Sequence, residues 1–410
     1  MQKILSETVV LDLTRFFSGP QATLLLAGLG AEVIKIDDPK TGDPTASSPP
    51  YAGPQGISFS RQTQADMGIA YLKRARGKKS VTLDLKSPEG KRVFMKMVER
   101  ADVVIDNFSV GVAQRLGTDY ESLQAVNPNI IYCSLTGYGA TGQDRNLKAY
   151  DLMVQAGVGL MSLTGHPDST PVKAGSPLSD AISGVFAASG IIAALLHRHR
   201  TGQGQSIDVS MADCLFALMF DEPVDCYSEL GLEHRQGNRI MRFSPFNSYR
   251  AKDGYIALGA ASNAEWTTLL KAMEREDLLG DANMMDLGWR IAHNDEVDRI
   301  VSAWTQTRTK GEILELLNAL KIPNSPVRTV AEVMSWQQLH ERDMVQPLWN
   351  PLAQAHVSAR GPGFPIKFSH TKAVYDMPAP RPGEHSRDIL KRLGGLSDQE
   401  FDRLVSAGIA

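Results

Sequence analysis

Asp168 lies in Thr164-Gly165-His166-Pro167-Asp168-Ser169-Thr170-Pro171, a stretch braced by two prolines between an apolar Ala- and Gly-rich segment and an apolar run from Leu178. A carboxylate on a rigid loop against apolar structure can act as a nucleophile or a base. Proline and aspartate are also ordinary turn residues, so local sequence alone favours a plain turn. Asp180 has the equally plain role of capping the next helix. A second group is cationic: Lys73-Arg74-Ala75-Arg76-Gly77-Lys78-Lys79 precedes a strand-like run. It reads either as a solvated loop or as a phosphate site, with Gly77 admitting the backbone and the cations supplying charge-assisted hydrogen bonds. A third group, Gly137-Tyr138-Gly139-Ala140-Thr141-Gly142, has dinucleotide-binding spacing and follows a strand pattern. The next residues, Gln143-Asp144-Arg145-Asn146, are too polar to open the packed helix that would hold a pyrophosphate. A ligand-lining glycine loop and an ordinary surface turn both stay open.

Other chemistries lack their signals. His197-Arg198-His199-Arg200 places its histidines on different helix faces among cations, which suits the basic last turn of a helix ended by Gly202. There is no H-E-x-x-H, no G-x-S-x-G elbow and no P-loop. Cys133, Cys214 and Cys226 form no CxxC pair, so neither a disulfide framework nor a thiolate metal cage is expected.

The elements that must position these residues alternate. Val9–Leu13, Glu32–Ile36, Ser80–Leu85, Val103–Asp106 and Asn129–Leu135 read as strands. Helical patterns lie between them, including Pro20–Leu29 and a helix opened by Ser87-Pro88-Glu89. This predicts an α/β fold with a parallel sheet, whose ligands bind at the carboxyl ends of strands, in the loops after Leu13, Ile36, Asp106 and Leu135. The expected division is a large domain from residues 1–210, a linker helix at 211–224, and a smaller α+β domain at 225–334. The last holds a hairpin at Asp253-Gly254, and a Pro-rich return linker with two short helices fills 335–410. That tail has too little apolar surface to fold alone.

The 410 residues carry 43 Lys+Arg against 46 Asp+Glu, a net charge of −3. Binding of nucleic acid through a general cationic surface is therefore disfavoured, while a local basic patch stays open. Leu178–Leu196 is apolar but includes Asp180 and many small residues, so it reads as a buried helix and no membrane partner is expected. The first residues hold no apolar export core, and a cytoplasmic location is expected.

Taken together, several motifs in order resemble the class III CoA-transferases, the family of formyl-CoA transferase and carnitine CoA-transferase. They are Val10-Leu11-Asp12-Leu13-Thr14-Arg15 with Ser18-Gly19-Pro20, Leu29 to Ile36, Lys78 to Lys86, Asp106-Asn107-Phe108, Thr136-Gly137-Tyr138-Gly139, Arg200 to Gln205, Asp253-Gly254-Tyr255 and Ile322 to Val327. The resemblance implies a Rossmann-like large domain completed by both chain ends, a small α+β domain, and an interlocked homodimer. It implies that Asp168 is the nucleophile. Coenzyme A contacts fall to Phe17, Ser18, Ala75, Arg76, Gly77, Lys78, Asn107, Phe108, Ser109, Arg115, Thr136, Gly137, Tyr138 and Gly139.

Arg15 and the segment Gly259-Ala260-Ala261, which matches a glycine-rich lid, are expected near the acceptor acid. The implied partners are an acyl-CoA donor and a carboxylic acid acceptor, a small dicarboxylate among the candidates, with no metal. Two positions depart from the pattern: Ser169 follows the nucleophile where many relatives have glycine, and Asp38 stands where formyl-CoA transferase has a basic residue. Related α-methylacyl-CoA racemases would place an aspartate at Asp180, but their histidine motif is missing near Lys148-Ala149-Tyr150-Asp151. A CoA-binding protein without catalysis is the non-enzyme alternative.

Overall fold

Six strands form one parallel sheet in the computed structural model, which describes residues 3–410. The strands are β1 (Val9–Asp12), β2 (Glu32–Asp37), β3 (Lys78–Thr82), β4 (Val103–Asp106), β5 (Ile131–Thr136) and β6 (Ser206–Ser210). Their order is β3-β2-β1-β4-β5-β6, with every neighbouring pair parallel. The direction of winding reverses between β1 and β4, so the loops after these two strands diverge and leave a crevice.

Side chains alternate across the sheet with the strand period of two. Leu11, Ile34, Val81 and Val104 face one core, where helix α2 (Pro88–Val98) and the C-terminal helices cover them through Phe94, Met97, Ile389, Leu390, Phe401 and Leu404. Val10, Val33, Val103 and Ile131 face the other core, under α1 (Ser18–Gly28), α3 (Leu178–Thr201) and α4 (Met211–Met219). Helix α2 begins as its sequence dictates: the Ser87 hydroxyl accepts the Gly90 N–H at 2.9 Å, and Pro88 fills a first-turn position that needs no donor.

The chain divides into two units. The first comprises Met1–Leu160, Ala174–Glu222 and Gln337–Ala410, and the second Met161–Lys173 and Pro223–Trp336. Two details differ from the division read from sequence. The segment placed as a linker helix contributes Met211, Cys214 and Leu215 to the first unit's core. Met161–Lys173, counted within residues 1–210, belongs to the second unit.

Gln337–Ala410 packs into the first unit in two ways. A hairpin of Val345–Asn350 and Ala355–Pro362 buries Leu348 and Val357 against Ala52, Met67, Tyr71 and Leu72. Farther on, the chain lines the open edge of β3: the His385 N–H donates to the Ser80 carbonyl at 2.9 Å, and the Ser386 hydroxyl accepts the Thr82 N–H at 3.0 Å. An edge that would otherwise offer unpaired groups is thereby occupied.

Helix α3 is, among the described residues, the one helix long and apolar enough to cross a membrane. Only one stripe of it is buried. Ser183, Ala187, Ile191 and Ala194 face the core, while Val185, Phe186, Ile192 and Leu196 are exposed on this chain. The helix expected from sequence to be buried is thus buried along one stripe and exposed along another.

The second unit holds the expected hairpin, Phe246–Ala251 paired with Gly254–Gly259, and a third strand at Asn324–Pro326. Its core centres on Trp266, Leu269, Val297, Val301 and Ile313. The Trp266 indole N–H reaches the Met284 carbonyl at 2.8 Å, satisfying the one polar atom that burial would strand.

Candidate active site

In the first unit the carboxyl ends of β1, β2 and β3 open onto a cleft of about 810 Å³, lined among others by Arg15, Asp38, Lys86, Lys91, Phe108 and Arg115. The loops after β1 and β4 brace one another across the crevice. The Arg15 N–H donates to the Asn107 side-chain oxygen at 2.9 Å, and the Asn107 amide N–H returns a bond to the Arg15 carbonyl at 2.8 Å. Phe16 takes φ +67°, a left-handed conformation that costs a non-glycine residue energy. It is held there by Arg74, whose guanidinium donates to the Phe16 carbonyl at 2.7 Å and lies 3.9 Å from the centre of the Phe17 ring. Ser18 is buried at the start of α1.

The basic run divides according to burial. Lys78, 1% exposed, opens β3 and directs its ammonium to Asp12 at 3.1 Å, the Pro20 carbonyl at 3.1 Å and the Thr23 hydroxyl at 2.6 Å. These three partners match its three donors, so Lys78 ties β1 and α1 to β3 inside the fold. Despite burial, Lys78 and Lys35 hold the Asp12 carboxyl below its ordinary value. Arg76 is also buried, donating to the carbonyls of Lys73 and Pro362. It faces a separate cavity of about 690 Å³ bounded by the return segment. Ala75 and Gly77 are buried as well, with Gly77 at φ +74°. Of the five cations only Arg74 reaches the β1 loop, and Lys79 pairs with Glu32. Cations that sequence reasoning did not select, Lys91 above all, line the cleft instead.

Phe108 and Ser109 extend beyond Asp106, whose carboxylate accepts the Tyr132 hydroxyl at 2.6 Å and the Phe108 N–H at 3.0 Å. Burial pushes the Asp106 carboxyl up to about 6, against the pull of those two bonds. Ser109 and Thr136 line a smaller cavity of about 220 Å³ that shares Phe108 with the large cleft. The glycine loop is a closed turn. The Thr136 hydroxyl accepts the Gly139 N–H at 2.9 Å, Gly139 lies at φ +85°, and a Cβ on Gly137 would come 2.4 Å from that of Ala149. Tyr138 between them is partly exposed.

Asp180 does not cap its helix. Asp151 does, accepting the Ser179 N–H at 2.9 Å. Burial and then the Asp151 charge push Asp180 up to about 6, opposed by Arg74 and a hydrogen bond from Ser18.

In the second unit, Asp168 occupies the third position of a turn closed by the Ser169 N–H donating to the His166 carbonyl at 3.0 Å. The Ser169 hydroxyl adds a bond of 2.8 Å to the same carbonyl. Residues 166–170 are exposed, so the carboxylate projects from the surface of its unit. His166 also lines a pocket of about 720 Å³ with Asn238, Phe246, Ser248 and Gly259. Gly259 ends a strand, where a Cβ would come 2.5 Å from the Phe246 ring. Ala260 is buried, and Ala261 precedes a helix capped by Ser262 and Glu265. This segment is therefore fixed structure within its unit. Among the described residues no cluster of three or more His, Cys, Asp or Glu has the arrangement of a metal site.

The chain matches the model of CoA-transferase family III over residues 5–386. It is 36% identical over 395 residues to a succinyl-CoA:mesaconate CoA-transferase of Haloarcula hispanica, covering 95% of this chain and 96% of that one. It is 34% identical over 391 residues to a succinate–glutarate CoA-transferase of Agrobacterium fabrum, covering 95% of both. The crystal structure of a CAIB/BAIF family protein from Brucella suis superimposes with a TM-score of 0.81 at 30% identity, over 96% of this chain and 100% of the other.

Proposed function

This chain belongs to CoA-transferase family III, and from that premise we propose that Asp168 carries the CoA group between a donor acyl-CoA and an acceptor dicarboxylate. The Asp168 carboxylate attacks the thioester carbonyl, the C–S bond breaks, and a mixed anhydride and CoA thiolate result. The thiolate then attacks the aspartyl carbonyl, releasing the donor acid and leaving an aspartyl-CoA thioester. The acceptor carboxylate attacks that carbonyl, expelling CoA thiolate and forming a second anhydride. Attack of the thiolate on the acceptor's acyl carbon gives the new thioester and frees Asp168. Splitting the exchange into covalent steps preserves the thioester's free energy without a further energy source.

The observation that carries this reading is Asp168 itself, an exposed carboxylate at the apex of a closed turn. The cleft with Arg15, Lys91 and Arg115 suits the phosphates of CoA, and Phe108 offers a ring to its base. Relatives named for succinyl-CoA with mesaconate, and for succinate with glutarate, favour succinyl-CoA as donor and a four- or five-carbon diacid as acceptor. We also infer a homodimer, interlocked as the family resemblance implies. The exposed apolar faces of α3 and α4, with Phe186, Leu196, Phe216 and Leu218, suit cover by a second copy.

The test is mass spectrometry of the protein incubated with succinyl-CoA and trapped with hydroxylamine or borohydride. The modified peptide should carry its mark on Asp168, and Asp168→Ala should form none. Full turnover by Asp168→Ala would overturn the mechanism, and a wild type that binds CoA thioesters without exchange would return the non-catalytic alternative.

A further inference from the structure

We infer that Arg235 is a positioning residue for the turn that carries Asp168, an inference that rests on Asp168 being the nucleophile. Residues 166–170 are exposed, so apolar burial does not fix the turn. A second loop of the same unit grips it instead. The Arg235 guanidinium donates through Nε to the Ser162 carbonyl at 3.3 Å, and through Nη1 to the carbonyl of Ser169, the residue that follows Asp168. The Gly237 N–H donates to the Gly165 carbonyl at 2.8 Å. One planar group thus ties the strand of chain entering the turn to the residue leaving it.

The choice of arginine follows from geometry. A guanidinium presents donors in a rigid fork, so bonding two carbonyls at once fixes their separation and relative direction. A lysine ammonium on the same stem is a single rotatable point and cannot span both. Gly237 completes the grip. It lies at φ +65°, a conformation that favours glycine, and a Cβ there would come 2.8 Å from the His166 ring nitrogen and displace that ring. The bonds of Arg235 to Ser162 and Ser169 go to backbone carbonyls, and it acts through where it holds the carboxylate. Since misplacing a reacting group by ~1 Å costs on the order of 100-fold in rate, loss of this grip should appear in kcat.

The experiment compares full-length wild type, Arg235→Ala and Arg235→Lys in steady-state CoA transfer and in single-turnover trapping of the Asp168 adduct. Hydrogen exchange of residues 162–170 is followed in parallel. Arg235→Ala should lower kcat roughly 10- to 100-fold with the KM for acyl-CoA nearly unchanged, and should speed exchange at the Ser169 amide. Arg235→Lys, which keeps the charge, should stay impaired. Added guanidinium salt should restore part of the activity of Arg235→Ala and none of that of Arg235→Lys. A kcat for Arg235→Ala within about threefold of wild type, or a loss of kcat without faster exchange across the turn, would overturn the inference. If wild type traps an Asp168 adduct and Arg235→Ala traps it at the same rate, the positioning role fails alone. If wild type traps none, the assignment of Asp168 fails and this inference fails with it.

Discussion

Asp12 and Asp106 end neighbouring parallel strands and are both buried, yet they meet opposite electrostatic surroundings. Asp12 has Lys78 at 3.1 Å, whereas Asp106 has neutral donors from Tyr132 and the Phe108 amide. The folded Asp106 therefore keeps a proton up to about pH 6, while in the unfolded chain it ionises near its ordinary 3.8. Its contribution to stability is full below the lower value and is lost as pH rises through the upper one. Replacing it by neutral Asn removes that dependence. In urea unfolding, Asp106→Asn should gain on wild type between about pH 4 and 7, by up to ~3 kcal/mol for a shift of about two pH units. A difference that stays flat across this range would mean Asp106 is ionised in the fold. Residues of this kind were poorly legible. Lys78 belonged visibly to a cationic run, but the partner that withdraws it into the core stands 66 positions away. Asp168 stood out by its rigid setting, and only the family motifs raised it above an ordinary turn.

At the level of elements, the loops after β1 and β4 act as one piece because Asn107 bonds both the N–H and the carbonyl of Arg15. Asn107→Ala strands two partly buried backbone groups, a cost of about 1–3 kcal/mol each where water cannot replace the bond. It should also release Arg15 and Phe108 from the cleft. Expected are a lowered urea midpoint and a KM for acyl-CoA raised about 10-fold, that is about 1.4 kcal/mol of binding. An unchanged KM would show that the large cleft does not hold the donor. Five of the six strands were readable from β-branched and apolar residues between polar turns, and their parallel pairing followed from the helices between them; Ser206–Ser210, half polar and half exposed, gave no such signal. The segment around Tyr51–Gly68 escaped notice: its three strands have two or three residues each, too short for a period to show. The allegiance of Met161–Lys173 was hidden for another reason. It is set by hydrogen bonds from Arg235 and Gly237, which leave no trace in local composition.

For the whole molecule, the exposed stripe of α3 and the neighbouring Phe216 and Leu218 are expected to meet a second copy. Sedimentation velocity should give twice the mass of one chain. Phe186→Glu combined with Leu196→Glu should shift the population toward the single chain, while a wild type that sediments as a monomer at micromolar concentration would remove the dimer. The Pro-rich tail has too little apolar surface to fold alone, and its place along β3 came only with the structure.

That placement has a consequence for how the protein is made. Ile389, Leu390, Phe401 and Leu404 complete, with α2, the cover on one face of a sheet whose first strand is Val9–Asp12, so a growing chain leaves part of that face exposed until residues 389–404 have been synthesised. At roughly 5–20 residues per second, the early strands wait many seconds for their cover. The second unit, nearly continuous in sequence, is complete before them. A chain that stops short of Ile389 keeps a partly uncovered apolar sheet face, a species for chaperones or proteases to handle.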